Sequence, residues 1–207
     1  MGPVSVSVVI PLHNEEKSLL PLYDQLVKVL GSRPAPFEIL MVDDASTDGT
    51  LELLRSLVET DARLKVIRLR RNFGQTAALA AGFEMAQGEI IVALDGDLQH
   101  DPADIPALLD KIDQGYDIAS GWRKERVGNA LTRKIPSRIA NRLMRYASGV
   151  ALHDFGTTFK AYRREIIKDI RLYGDLHRFI PALASWAGAR IAEVPIRNVE
   201  RAAGASH

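Results

Sequence analysis

A chain of 207 residues that is 46% hydrophobic and 26% charged, with a formal net charge of +1, is long enough to bury one sizeable core. It has no cysteine, which removes disulfides, thiolate-bound zinc, iron–sulfur clusters and thiol nucleophiles from consideration. Near-neutral charge argues against a dedicated nucleic-acid binder, and no stretch reaches the ~20 uninterrupted apolar residues of a membrane span.

In chain order, VSVSVVIP (4–11) reads as a strand that stops at proline, where a backbone donor is missing. NEEKSLLPLYDQLVKVL (14–30) reads as a helix, with Asn14 as candidate N-cap and acids in its first turn. FEILMVDD (37–44) is a second strand, and STDGTLELLRSLVE (46–59) holds a turn and an amphipathic helix. LKVIRLR (64–70) is a third strand, QTAALAAGFEMAQG (75–88) an Ala-rich helix closed by Gly88, and EIIVALD (89–95) a fourth strand. This alternation predicts an α/β fold with a mostly parallel sheet covered on both faces. Further on, DIASGW (117–122) and ARIAEVPI (189–196) read as strands, and TTFKAYRRE (157–165) as a strand running into a helix. NALTRKIPSRIANRLMRYASG (129–149) reads as a basic amphipathic helix and HRFIPALASWAG (177–188) as another helix. One domain is expected over 1–207, with a nucleotide-binding half (1–120) and an acceptor-binding half (121–207).

In such sheets ligands sit beyond the carboxyl ends of the strands. Those ends read Pro11-Leu12-His13-Asn14-Glu15, Asp43-Asp44-Ala45-Ser46 and Asp95-Gly96-Asp97, so three polar clusters share one rim. Asp95 and Asp97 suit a hard divalent cation, with Gln99 returning to the same side; a solvated acidic turn is the competing reading. Asp101 before Pro102 reads as a helix cap, and Ser46, Thr47 and Asp48 as turn and capping residues. The chain contains neither GxxxxGK[ST] nor a GxGxxG after a strand, so a nucleotide held here needs another device for its phosphates.

VSVVIPLHNEE, EILMVDDASTDGT, RNFGQTAALAAGFEMAQGEIIVALDGDLQHDP and DFGTTFKAYRRE, in this order and spacing, resemble the family-two glycosyltransferases of GT-A fold. The likeness is to the polyprenyl-phosphate branch that includes dolichyl-phosphate mannose synthase and undecaprenyl-phosphate sugar transferases. The resemblance implies that Pro11, Asn14 and Glu15 line a base pocket, with Asp43 at base or ribose and Asp95 on the donor. Asp95, Asp97 and Gln99 are then the ligands of Mg²⁺ or Mn²⁺. It implies catalytic roles for Asp97, Asp154 and Arg201, with Arg201 in a loop that closes over the diphosphate. Arg123, Arg133 and Ser137 fall at positions that hold an acceptor phosphate. His13 stands where the family more often has an aromatic, Lys160 where Arg is usual, and Asn198 and His207 where His and Lys are usual.

The activity implied is metal-dependent inverting transfer of a sugar from a UDP- or GDP-linked donor to a polyprenyl phosphate. Such an acceptor, with a second pKa of ~6, is already largely dianionic at neutral pH, so Asp154 is expected to orient and not to deprotonate. Transfer to a saccharide hydroxyl is the alternative, disfavoured by Arg123 and Arg133 having no further carboxylate nearby, and a silent nucleotide-sugar-binding module is another. The expected setting is the cytoplasmic face of a membrane, with the basic helix against the lipid, an anchor missing from this chain, and room for a homo-oligomer.

Overall fold

The computed structural model describes residues 4–124, 152–168, 170 and 179–197. The helix expected over 129–149, with Arg133 and Ser137, lies outside the described residues, as do Asn198, Arg201 and His207.

The elements are β1 (Val6–Leu12), α1 (Glu16–Gly31), β2 (Phe37–Asp43), α2 (Thr50–Thr60), β3 (Leu64–Arg68), α3 (Gln75–Met85) and β4 (Ile90–Ala93). A 3₁₀ turn (Pro102–Asp104), α4 (Ile105–Asp113), β5 (Ile118–Arg123), β6 (Lys160–Arg163), α5 (Arg164–Lys168), α6 (Ile180–Trp186) and β7 (Ile191–Ile196) follow. They form one sheet of order β3-β2-β1-β4-β6-β5-β7. The pairs β1·β2, β1·β4, β2·β3 and β5·β7 are parallel, and β6 runs antiparallel to both β4 and β5. The expected mostly parallel sheet is therefore present, and it runs unbroken across the division expected at residue 120, which falls inside β5.

β1, β2 and β4 are apolar on both faces because both faces are covered. On one side Leu19, Leu22, Leu26 and Leu30 of α1 join Leu54 of α2 and Leu108, Leu109 and Ile112 of α4 against Val8, Ile10, Ile39, Met41 and Val92. On the other, Ala78, Leu79 and Phe83 of α3 pack with Val9, Leu40, Val42, Ile91 and Tyr162, beside Ile167 and Ile180 of α5 and α6. The register is reinforced by Glu38, buried in β2. Its carboxylate accepts from Ser7 Oγ (2.6 Å) and the Gln87 N–H (2.7 Å) and lies 2.6 Å from the Lys65 ammonium.

Two local expectations are corrected. Asn14 does not cap α1: it has φ 57°, the N-cap position is Glu15, and the Asn14 Oδ1 instead accepts from the Thr47 N–H at 2.8 Å. Gly88 does not close α3, which ends at Met85; its N–H donates to Ser7 Oγ, and a Cβ there would lie 2.6 Å from the Ser7 nitrogen. Close approach to β1 is what requires glycine at that point. Asp101 does cap the 3₁₀ turn, accepting from the Ala103 N–H at 2.9 Å. Asp48 accepts from the Thr50 N–H at 3.0 Å as a turn residue.

Candidate active site

The carboxyl ends of β1, β2 and β4 open onto a cleft of about 270 Å³ lined by Pro11, Leu12, His13, Glu15, Asp44, Gln75, Ala78, Asp95, Gly96 and Asp97. Asn14 (φ 57°), Ala45 (φ 56°) and Leu98 (φ 60°) are the non-glycine residues with positive φ among the described residues. One lies in each of the three loops at this rim. Each conformation costs roughly 1–2 kcal/mol, and the loops hold them because the surrounding bonds fix the chain path.

Asp44 supplies much of that fixing. Its Oδ1 and Oδ2 accept from the Phe73 and Gly74 N–H groups, both at 2.8 Å, and its carbonyl oxygen lies 2.8 Å from His13 Nδ1. His13 therefore donates through Nδ1–H, which leaves Nε2 to accept from Asn72 Nδ2 at 3.2 Å. Asp43 is fully buried: its Oδ1 accepts the Ser46 N–H at 3.0 Å, Arg68 Nε lies 3.8 Å from its Oδ2, and it is not among the cleft-lining residues. Of the adjacent aspartates it is Asp44 that faces the cleft. Sequence alone does not separate Asp43 from Asp44, because in a strand covered on both faces no alternation distinguishes the two.

Asp95 and Asp97 enter the same cleft on either side of Gly96, where a Cβ would lie 2.4 Å from Leu12 Cδ2. Gln75, the first residue of α3, donates from Nε2 to Asp95 Oδ1 at 2.5 Å and to Thr158 Oγ1 at 3.2 Å. His100 Nε2 lies 3.8 Å from Asp95 Oδ2 and 3.3 Å from Thr157 Oγ1, with its ring stacked on Phe159. Burial pushes the Asp95 carboxyl above the usual range; His100 opposes this and Asp97 adds to it. Burial likewise pushes the His100 imidazole below its ordinary value, against the pull of Asp95. A hard dication fits this place: it meets oxygen donors of the right kind and offsets the burial and the Asp97 repulsion that raise Asp95. Among the described residues no group of three or more His, Cys, Asp or Glu is arranged to hold a metal. Gln99 donates its N–H to Asp97 Oδ1 at 3.1 Å and is not among the cleft-lining residues.

The second half reaches the rim through the segment before β6. Asp154, 1% exposed, accepts from Arg123 Nε (2.7 Å) and Nη2 (3.1 Å) and from the Gly156 N–H (3.1 Å). Arg123 thus takes as its carboxylate partner Asp154, the residue already expected at this site. The charge of Arg123 also acts to lower the Asp95 carboxyl. Lys160 is buried, and its ammonium donates to the carbonyl oxygens of Thr157 and Phe155. It holds the segment from inside. Gln75, His100 and Asp44 were missed by the sequence reading as site residues; for Gln75 the available signal was its place at the opening of a helix on the binding rim.

This arrangement of sheet and rim is that of the GT-A fold. The fold is similar to that of glucosyl-3-phosphoglycerate synthase from Mycobacterium tuberculosis in complex with Mn²⁺, UDP and glucosyl-3-phosphoglycerate, with a TM-score of 0.74 at 18% identity over 99% of this chain and 74% of that one. The profile of glycosyl transferase family 2 matches residues 7–171, and the chain belongs to that family. It is 42% identical over 207 residues to dodecaprenyl-phosphate galacturonate synthase from Rhizobium johnstonii, covering 98% of this chain and 61% of that protein. It is 41% identical over 202 residues to undecaprenyl-phosphate 4-deoxy-4-formamido-L-arabinose transferase from Pseudomonas aeruginosa, covering 97% of this chain and 59% of that protein. The chain thus spans about three fifths of the length of these relatives.

Proposed function

We infer that this chain carries the catalytic domain of a glycosyltransferase that moves a sugar from a UDP- or GDP-linked donor to a polyprenyl phosphate, with inversion, at a membrane surface. The observation that carries the reading is the Asp95 and Asp97 carboxylates at the cleft, tied through Gln75 and Thr158 to the segment whose Asp154 pairs with Arg123. The names of the two relatives, both acting with polyprenyl phosphates, supply the acceptor class. Among the described residues no helix is long and apolar enough to cross a membrane.

Pro11, His13 and Glu15 would line the nucleotide side of the cleft, with Asn14 and Asp44 holding its loops in place. Asp95 and Asp97 would hold Mg²⁺ or Mn²⁺, and when bound the cation supplies Lewis-acid stabilisation of charge on the diphosphate. Gln75 orients the Asp95 carboxylate. Arg123 spends two donors on Asp154 and keeps others to orient an acceptor phosphate. A phosphate oxygen of the acceptor then attacks the anomeric carbon with its own electron pair. The new carbon–oxygen bond forms as the bond to the diphosphate breaks, and the nucleoside diphosphate leaves with those electrons. No side chain has to take a proton, because the acceptor is already ionised near neutral pH. Asp154, engaged by Arg123 through both oxygens, is proposed to orient.

The test is a panel of UDP- and GDP-sugars with Mn²⁺ or Mg²⁺ and undecaprenyl phosphate, scored for lipid-linked sugar and nucleoside diphosphate. Asp97→Ala is expected to lose at least about a hundredfold in turnover and to keep its fold. Transfer only to saccharide hydroxyls, or full activity of Asp97→Ala in EDTA, would overturn the reading.

A further inference from the structure

Glu193, in the middle of β7, makes three hydrogen bonds to one short stretch of chain. Its Oε1 accepts the main-chain N–H groups of His153 (2.6 Å) and Asp154 (3.1 Å), and its Oε2 lies 2.7 Å from His153 Nδ1. The His153 ring stacks on Trp122 with centroids 4.5 Å apart and planes 20° from parallel. Consecutive residues of β5 are thereby matched to consecutive residues of this segment: Trp122 takes the His153 ring and Arg123 takes the Asp154 carboxylate. Glu193 pairs in register with Ser120 of β5, so its carboxylate comes from a strand bonded to the one that carries Trp122 and Arg123.

We propose that Glu193, with His153, is a positioning residue for the transfer reaction: it fixes the main chain at 153–154 so that Asp154 presents its carboxylate to Arg123 in the bidentate geometry that aims the guanidinium. The proposal rests on the functional reading above and adds a residue to it. The segment is gripped by complementary chemistry at its two ends. At the start a carboxylate takes N–H groups, and further on the Lys160 ammonium takes the carbonyls of Phe155 and Thr157. A guanidinium recognises phosphate through a planar fork, so a small rotation of Asp154 would turn the remaining donors of Arg123 away from an acceptor.

Glu193→Ala removes all three bonds. Glu193→Gln keeps an oxygen for the two N–H groups and offers an amide donor to His153 Nδ1, with the imidazole shifting its proton to Nε2. In Glu193→Ala, amide exchange at His153 and Asp154 is expected to accelerate at least about tenfold while β1, β2 and β4 keep wild-type protection. Its kcat for transfer is expected to fall about ten- to a hundredfold, with the Kd for UDP or GDP changed by less than about twofold. Glu193→Gln is expected to retain the amide protection and to stay within about threefold of wild-type kcat. Wild-type kcat in Glu193→Ala, a Gln variant as impaired as the Ala variant, or wild-type amides at 153 and 154 that exchange like an open loop would each overturn the proposal. A wild-type chain inert toward polyprenyl phosphate speaks against the functional reading, and exchange at 153 and 154 then decides the clamp by itself.

Discussion

Gln75 donates to Asp95 across 2.5 Å, and so the first turn of α3 is tied to the end of β4 at the point where two carboxylates meet. The same Nε2 lies 3.2 Å from Thr158 Oγ1, which links the start of α3 to the segment before β6. A carboxylate held by a neutral donor keeps its charge for a cation and loses its freedom to rotate. Groups that orient metal ligands in this way typically contribute 10–100-fold in metal affinity. Gln75→Ala is therefore expected to weaken Mn²⁺ binding in the presence of UDP or GDP by about that factor, read by calorimetry, with the thermal transition unmoved by more than a few degrees. Gln75→Glu is expected to be worse, because a third carboxylate would face Asp95. Unchanged Mn²⁺ affinity in both variants would remove Gln75 from the site.

The Gly82 position inverts an ordinary expectation. In a helix interior Gly→Ala normally stabilises by ~1 kcal/mol. Here a Cβ would lie 2.3 Å from Val9 Cγ1 and 3.2 Å from Val42 Cγ2, both from fully buried side chains of β1 and β2. Overpacking of that kind costs about 1–3 kcal/mol, so Gly82→Ala is expected to destabilise in urea unfolding despite its better propensity.

Gly82 also marks the boundary of what was legible in the sequence. The succession of the seven strands along the chain could be read from apolar runs and turn residues, because β1, β2 and β4 are buried on both faces and the breaks carry Pro, Gly or Asp. The rim could be read too, since His13, Glu15, Asp95 and Asp97 fall where such strands end, and they line one cleft. What could not be read depends on contacts distant in sequence. That Asp44 and not Asp43 faces the cleft is decided by the N–H groups of Phe73 and Gly74 some thirty residues away. The antiparallel entry of β6 between β4 and β5 has no local signature, because Lys160–Arg163 carries the same short apolar-polar mix in either direction. That Arg123 pairs with Asp154, 31 residues distant in the chain, likewise has no local signature.

A pH dependence of stability follows from the end of α2. Arg63 grips Asp61 at 2.8 and 2.9 Å and Tyr23 donates to it at 2.6 Å, and these bonds hold the Asp61 carboxyl well below its usual range in spite of its burial. Burial, and then the same carboxylate, push the Tyr23 hydroxyl up to about 12. A depressed carboxyl contributes stability that is present above its unfolded value, near 3.9, and is lost as the pH falls through the folded one. A raised phenol contributes stability that is present below its unfolded value, near 10, and is lost as the pH rises toward 12. Asp61→Asn is thus expected to cost about 1–2 kcal/mol at pH 7, with the gap to wild type closing below pH ~3. Urea midpoints measured from pH 2 to 8 check this, and a gap that stays constant into acid would refute the assignment.

The Arg123–Asp154 pair gives the sharpest test of mechanism. Both Asp154 oxygens are engaged by one guanidinium, and the proposed role of the carboxylate is to orient. Asp154→Asn would leave one oxygen to accept from Arg123 and turn an amide against its other donor, which tilts the fork and lowers the rate plateau without altering what ionises. If the nucleophile is a phosphate dianion, the acidic limb of kcat/KM tracks the acceptor's second ionisation near pH ~6 in wild type and in the Asn variant alike. If Asp154 instead removes a proton from a hydroxyl, the Asn variant loses typically 10²–10⁴-fold at neutral pH and its limb disappears, with rate returning only as the hydroxyl itself ionises. The expected result is a lowered plateau with the limb intact. A limb that vanishes with the carboxylate would make Asp154 the base and move the acceptor from a phosphate to a saccharide hydroxyl.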